Sequence, residues 1–249
     1  MTVVSLPEAV ELVPDGASRG TGGILMTRKP VALLDAVARA RTDLTLYTLL
    51  GSLDAELLAL HGALKQSNTI YVGFEQLGFA PAYGAAVADG TVEARDYSEL
   101  LMLAGLRASL AGLPFLPTRG AQGSDVAAAL DMREVTCPYT GETLFAAPAI
   151  RPDVALVHAE EADARGNVRG PRHRDFLFDW DANIARASST VIVSVERIVD
   201  EVTDALLFAH EVDAVVELPG GARPTALPGA YGADLAHVGA YVRGEVALT

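Results

Sequence analysis

Glu99 is the carboxylate of this chain whose setting best suits chemistry on another molecule. It opens an apolar run, Leu100-Leu101-Met102-Leu103-Ala104-Gly105-Leu106, and stands three residues after Asp96, the spacing of an N-terminal capping pair. The positive end of a helix dipole favours a negative charge there. An ionised carboxylate in a partly dry site can take up an acyl group and so split one hard transfer into easier steps. Helix initiation by itself is a sufficient explanation of the same residue and takes precedence until the geometry is known. A second set is Gly20-Thr21-Gly22-Gly23 followed by Arg28-Lys29. Glycines let backbone come close to a ligand or to another part of the chain. Lys29 is one of only two lysines, and with Arg28 it suits a phosphate or a solvated helix start.

Other motifs carry less. Gly16-Ala17-Ser18-Arg19-Gly20 matches G-x-S-x-G, but the nucleophile elbow needs a buried strand before the serine, and Pro14-Asp15 reads as a turn. Gly20-Thr21-Gly22 begins a dinucleotide fingerprint, yet Leu25 stands where its third glycine belongs. The histidines 61, 158, 173, 210 and 237 show no metal-ligand spacing, so no protein-built metal site is expected. Cys137 has no histidine near it in sequence and reads as a buried or idle thiol rather than a nucleophile. Arg172-His173-Arg174 is the densest basic cluster, an anion holder or plain surface.

Short apolar runs alternating with amphipathic stretches predict an α/β fold with an open, mostly parallel sheet flanked by helices, in a single domain over 1–249. Strands are predicted at 44–48, 69–72, 153–157, 190–195 and 212–216, several apolar throughout as in a buried parallel sheet. Helices are predicted after Pro30, after Asp54 as a cap with Gly62 as the stop, at 81–88, and from Glu99 to about Ala111. After Pro219-Gly220-Gly221 the pattern fades into turns. Ligands of such sheets bind at the carboxyl ends of the strands, which selects Glu75, the segment after His158, and Glu196.

Composition narrows the function. Acidic residues outnumber basic ones 32 to 19, giving a formal charge of -13, which repels nucleic acid and anionic membranes over most of the surface. No apolar stretch reaches the ~18 residues of a membrane span, and the N-terminus lacks the pattern of a signal peptide. A cytoplasmic address is therefore expected. A lone cysteine excludes an internal disulfide and a four-cysteine zinc site.

An ordered series of segments resembles the alpha subunit of family I coenzyme A transferases of the glutaconate type. The series is Gly20-Thr21-Gly22-Gly23 with Thr27-Arg28-Lys29-Pro30; Tyr71-Val72-Gly73-Phe74-Glu75; Gly105-Leu106-Arg107-Ala108; Leu113-Pro114-Phe115-Leu116-Pro117-Thr118-Arg119-Gly120; and Gly123-Ser124-Asp125. It continues with Cys137-Pro138-Tyr139; Asp153-Val154-Ala155-Leu156-Val157-His158; Ala162-Asp163 with Gly166-Asn167; and Ser194-Val195-Glu196-Arg197-Ile198-Val199. Val215-Val216-Glu217-Leu218-Pro219-Gly220-Gly221-Ala222 is also similar to a branch that opens rings of CoA thioesters from steroid breakdown.

The resemblance implies a partner beta subunit, as a two-plus-two assembly or with a homodimer when alone. It implies an acyl-CoA thioester and a carboxylic acid as substrates, with no tightly bound cofactor. It further implies CoA transfer through a glutamyl-CoA intermediate. The family nucleophile lies in a Glu-x-Gly triplet of the beta subunit, and this chain has no such triplet. In the ring-opening branch the essential glutamate is in the alpha subunit. Matching the stretch Glu93-Ala94-Arg95-Asp96-Tyr97-Ser98-Glu99 places it at Glu99, with Glu93 and Glu75 as fallbacks. Gly20, Gly22, Gly23, Arg28, Lys29, Glu75, Arg119 and Ser124 are then the candidate substrate- and CoA-binding residues. A ring-opening CoA-thioester hydrolase and a non-catalytic small-acid-binding module are the alternatives to the transferase.

Overall fold

A computed structural model describes residues 2–174 and 177–248. The chain opens with strand β1 (Thr2–Val3) and helix α1 (Leu6–Glu11), then alternates: β2 (Ser18–Thr21), α2 (Val31–Ala40), β3 (Leu44–Tyr47), β4 (Leu50–Gly51), α3 (Leu53–Leu60), β5 (Leu64–Thr69), β6 (Tyr71–Val72), α4 (Pro81–Ala88), β7 (Glu93–Asp96) and α5 (Glu99–Leu110). A second run holds β8 (Phe115–Thr118), α6 (Val126–Ala129), β9 (Glu134–Thr136) and β10 (Thr143–Pro148). The last brings β11 (Val154–Asp163), β12 (Val168–Arg169), α7 (Trp180–Ala187), β13 (Thr190–Val199), β14 (Ala205–Leu207), β15 (Ala214–Glu217) and α8 (Leu235–Val242).

The main sheet has the order β1-β15-β13-β11-β2-β3-β5-β7, with β12 and β14 as an antiparallel appendage. Neighbours along that path are all parallel. From β2 the chain winds outward through β3, β5 and β7; it then returns to the other side of β2 with β11 and winds outward again. The switch point therefore lies between β2 and β11, where Leu156 pairs with Thr21.

One apolar layer joins α1–α4 and α8 to one face, through Leu34, Val37, Leu46, Leu57, Leu156 and Val238. The opposite face carries α5 and α7, packed through Met102, Leu106, Ile150, Trp180 and Ile184. Central strands are buried on both faces, and their sequences are accordingly apolar without alternation. The β8, β9 and β10 strands form a separate antiparallel sheet beside α5.

Several local expectations change. Ser98, not Asp96, caps α5: its hydroxyl accepts from the Leu101 N–H, while Asp96 ends β7 in register with Thr69. Ser52 occupies the cap position of α3, and Asp54 turns inward instead. The 69–72 strand divides, with Thr69 ending β5 and Tyr71–Val72 pairing with β4. The tail read as turns contains α8, held by Asp234 accepting from the His237 N–H. Buried Glu56 of α3 replaces a local cap for α4, accepting from the N–H groups of Ala82 and Tyr83 at 2.9 Å each.

Candidate active site at the carboxyl edge of the sheet

The glycine segment follows β2 at the switch point, where an open parallel sheet receives ligands. Its close approaches are to its own chain. A Cβ on Gly20 would meet Ile184 at 2.3 Å, and one on Gly23, whose φ is +74°, would lie 2.5 Å from the Arg28 carbonyl carbon. The Gly22 N–H donates to Leu156 O at 2.8 Å. The Gly23 N–H donates to Asp181 Oδ1 at 2.6 Å. These amides are thus turned inward.

Arg28 and Lys29 are not the solvent-facing phosphate receivers that their place in sequence suggests. They are 1% and 0% exposed. Arg28 Nε lies 2.9 Å from Asp181 Oδ2, and Lys29 Nζ lies 2.6 Å from Asp54 Oδ2. Burial pushes the Asp54 carboxyl up, but the Lys29 ammonium beside it, with hydrogen bonds from Ser52 N–H and Thr21, holds it below the ordinary range. Desolvated ions stay inside only when paired in this way. The consequence is a rigid floor: both ion pairs tie the loop after β2 to α3 and α7.

Glu196, selected by the strand-end rule, meets His158, which stands just before the other selected segment. The His158 ring nitrogens lie 2.9 Å from Ser194 Oγ and 2.9 Å from Glu196 Oε1. Tyr231 OH donates to Glu196 Oε1 at 2.7 Å, and the Gly220 N–H donates to Oε2 at 2.7 Å. Against a burial effect that raises it, these donors pull the Glu196 carboxyl down to about 2. The order Ser-His-Glu has the contacts of a hydrolytic triad. Ser194 is fully buried, however, and its hydroxyl also faces Val157 O at 3.3 Å, so no substrate reaches it. The network instead staples the Gly220–Tyr231 loop over the end of β13.

Glu99 contrasts with this. It is the first residue of α5, directly after β7, and it is exposed. The opening N–H groups of a helix lack partners within it, so a carboxylate and amide donors share one corner. Tyr97 beside it is half-buried, and burial pushes its hydroxyl up to about 12. The turn after β8 closes on the same corner: a Cβ at Gly120 would lie 2.9 Å from the Leu101 nitrogen. Arg119 therefore stands near the start of α5, exposed and paired with Glu142 through two contacts of 2.6 Å. Ser124 is also exposed, its hydroxyl donating to Ala121 O at 2.9 Å. Glu75 follows β6 at the carboxyl edge, exposed and with φ +53°, a left-handed conformation rare outside glycine.

The Arg172 cluster is committed elsewhere. Arg172 pairs with Glu160 at 3.0 Å and Glu161 at 2.9 Å, and Arg197 also contacts Glu161. Sequence reading missed this network because its partners come from different strands. Cys137 lies in the β9–β10 turn. Among the described residues no group of three or more His, Cys, Asp and Glu is placed to hold a metal ion. Nor is any helix among them long and apolar enough to cross a membrane.

An open parallel sheet, a glycine segment at its switch point and a carboxylate at its carboxyl edge define an α/β enzyme class. The model of the family "Coenzyme A transferase" matches residues 3–215, and the chain belongs to that family. The "Cholesterol ring-cleaving hydrolase IpdA subunit" of Mycobacterium tuberculosis is 36% identical over 247 residues, covering 92% of this chain and 83% of the relative. The crystal structure of a variant of the decarboxylase AibA/AibB superposes with a TM-score of 0.90 at 34% identity, covering 98% of this chain and 94% of that one. Glutaconate coenzyme A-transferase from Acidaminococcus fermentans gives a TM-score of 0.90 at 26% identity, over 99% of this chain and 85% of that one. The family and the fold expected from the sequence are thereby both found.

Proposed function

We infer that this chain is the A subunit of a two-subunit enzyme that opens a carbon ring in a CoA thioester by adding water, with Glu99 as its base. The observation that carries the reading is the carboxylate presented to solvent at the first position of α5, in a chain without the Glu-x-Gly triplet of a transferase nucleophile. The likeness to the IpdA subunit, itself called a ring-cleaving hydrolase, supports it. Glu99 takes a proton from water, and the oxygen adds to a ring ketone beside the carbon that bears the thioester. The ring C–C bond then breaks. Its electron pair passes to the thioester as an enolate, which donors at the start of α5 stabilise. The proton returned from Glu99 completes the acyl chain. One water is consumed, and the former ketone carbon becomes a carboxylic acid at the other end of the opened chain.

The buried ion pairs at the switch point fix the loop after β2 as framework, and the exposed Arg119 and Ser124 are available to CoA. The partner subunit closes the corner. The likeness to glutaconate coenzyme A-transferase supports a second reading, in which CoA moves to an acceptor acid and the nucleophilic glutamate belongs to the partner.

Product analysis separates the two. The complex with its partner is incubated with a cyclic β-keto acyl-CoA and acetate in oxygen-18 water. Ring opening places the label in the new carboxylate and forms no acetyl-CoA. Acetyl-CoA without a labelled ring-derived acid would establish the transferase instead.

A further inference from the structure

We propose that the cleft between α5 and α7 receives the acyl group of the thioester, and that it selects an apolar group ending in a neutral oxygen function. This rests on the reading of Glu99 as the reacting carboxylate. Residues 99, 103, 106 and 110 follow the i, i+4, i+7, i+11 spacing, so Glu99 heads a stripe continued by Leu103, Leu106 and Leu110. Those leucines line a cavity of about 250 Å³, whose opposite wall is Trp180 of α7. At a helical rise of 1.5 Å per residue, the stripe runs about 16 Å away from the carboxylate.

Three polar side chains stand in this wall: Arg107, Asp179 and Asn183. Arg107 is about 12 Å along the helix from Glu99. Asn183 Nδ2 donates to Asp179 Oδ2 at 3.3 Å. Among the described lining residues the cation and the carboxylate cancel. The cleft offers donors from Arg107 and an acceptor on Asp179, which together match a hydroxyl. A ketone uses the donors alone. A second carboxylate on the acyl group would lose against Asp179 what it gains from Arg107, whereas a hydroxyl uses both. The rest of the lining is leucine and tryptophan, which favours a long or ring-bearing hydrocarbon.

The test is calorimetric binding of three non-reacting thioethers to the complex with its partner: S-decyl-CoA, its ω-hydroxy counterpart and its ω-carboxy counterpart. The ω-hydroxy analogue is expected to bind about tenfold tighter than the plain decyl one, the worth of one hydrogen bond to a charged group. Arg107→Met or Asp179→Ala should erase that preference. Leu103→Trp should weaken all three analogues and leave free CoA unchanged. Leu110→Trp, at an exposed rim, repeats the test should the first variant lower the thermal midpoint. Equal binding of the three analogues, tightest binding of the ω-carboxy form, or tryptophan variants that leave every affinity unchanged would overturn the proposal. Because thioethers do not turn over, these affinities are independent of Glu99. Normal turnover by Glu99→Gln would count against the ring-opening reading alone.

Discussion

Two places along the carboxyl edge of the sheet handle charge in opposite ways. Around the carboxyl ends of β2, β11 and β13, Lys29 answers Asp54, Arg28 answers Asp181, and Glu196 takes hydrogen bonds from His158, Tyr231 and Gly220. These groups are buried or half-buried, and each is occupied by its neighbours. At the β7–α5 corner, Glu99 stands in solvent, and Arg119 is tethered to Glu142 yet exposed; Glu75, after β6, is exposed as well. A buried charge is held by its partners and has little left for a ligand. An exposed charge on a rigid element keeps its capacity for one. The first region is framework and the second is where chemistry is expected, although the switch-point rule taken alone favours the first.

The largest effect should come from the exposed corner. Glu99→Gln is expected to lower turnover by about 10²–10⁴-fold, the usual worth of a general base. The thermal midpoint should stay near the wild-type value, because the side chain is exposed and Ser98 supplies the cap. Steady-state kinetics on the complex, with calorimetric melting beside it, checks both halves. Full turnover would move the chemistry away from α5.

The framework should answer in stability. Asp54→Ala leaves Lys29 buried without its counter-ion, and is expected to cost about 3–5 kcal/mol. Denaturant unfolding measures this. Arg19 of β2 sharpens the point. It is fully buried, and its Nε and both terminal nitrogens have no hydrogen-bond partner among the described residues. Burial depresses it to about 9, with only longer-range help from Asp54. Arg19→Met exchanges an unsatisfied cation for an apolar chain of similar reach, and should be neutral or stabilising, where Asp54→Ala is severe. A loss as large for Arg19→Met would mean that Arg19 has a partner in solution, such as internal water.

Much of the frame was legible because parallel strands announce themselves. Val154–Val157 and Thr190–Val195 are apolar on both faces, and Pro81–Ala88 carries its proline at the first turn. The β8–β10 sheet was not legible, since its strands are short and half exposed and give no clean alternation. Helix α7 was missed for a different reason: Asp181 and Asn183 interrupt its apolar pattern, and Asp181 is polar because it must hold Gly23 and Arg28. The same long-range pairing hid the fate of Arg28 and Lys29. A sequence shows two cations after a glycine loop, but not the aspartates from α3 and α7 that neutralise them. Glu99 was legible as a helix start, and its exposure follows from position. Its capping role was assigned to the wrong neighbour because Asp96 and Ser98 both fit the cap chemistry.

The smallest effect tests whether the His158–Glu196 staple belongs to the framework. Glu196 is brought down to about 2 from an ordinary 4.5. A carboxyl depressed by folding contributes stability that is complete above its unfolded value and fades as pH falls through the folded one. Its contribution should therefore be full above about pH 5 and decline between there and about pH 2. Glu196→Gln keeps the shape and removes the charge. Thermal midpoints of the two proteins should differ most near neutrality and converge as the solution is acidified through that window. Turnover near neutral pH should change much less than in Glu99→Gln, because the staple fixes a loop and touches no reacting atom. A gap that stays constant down to pH 2 would show that the carboxylate charge contributes nothing to holding the Gly220–Tyr231 loop. A turnover loss matching that of Glu99→Gln would erase the distinction between the two regions and bring the switch point back into the chemistry.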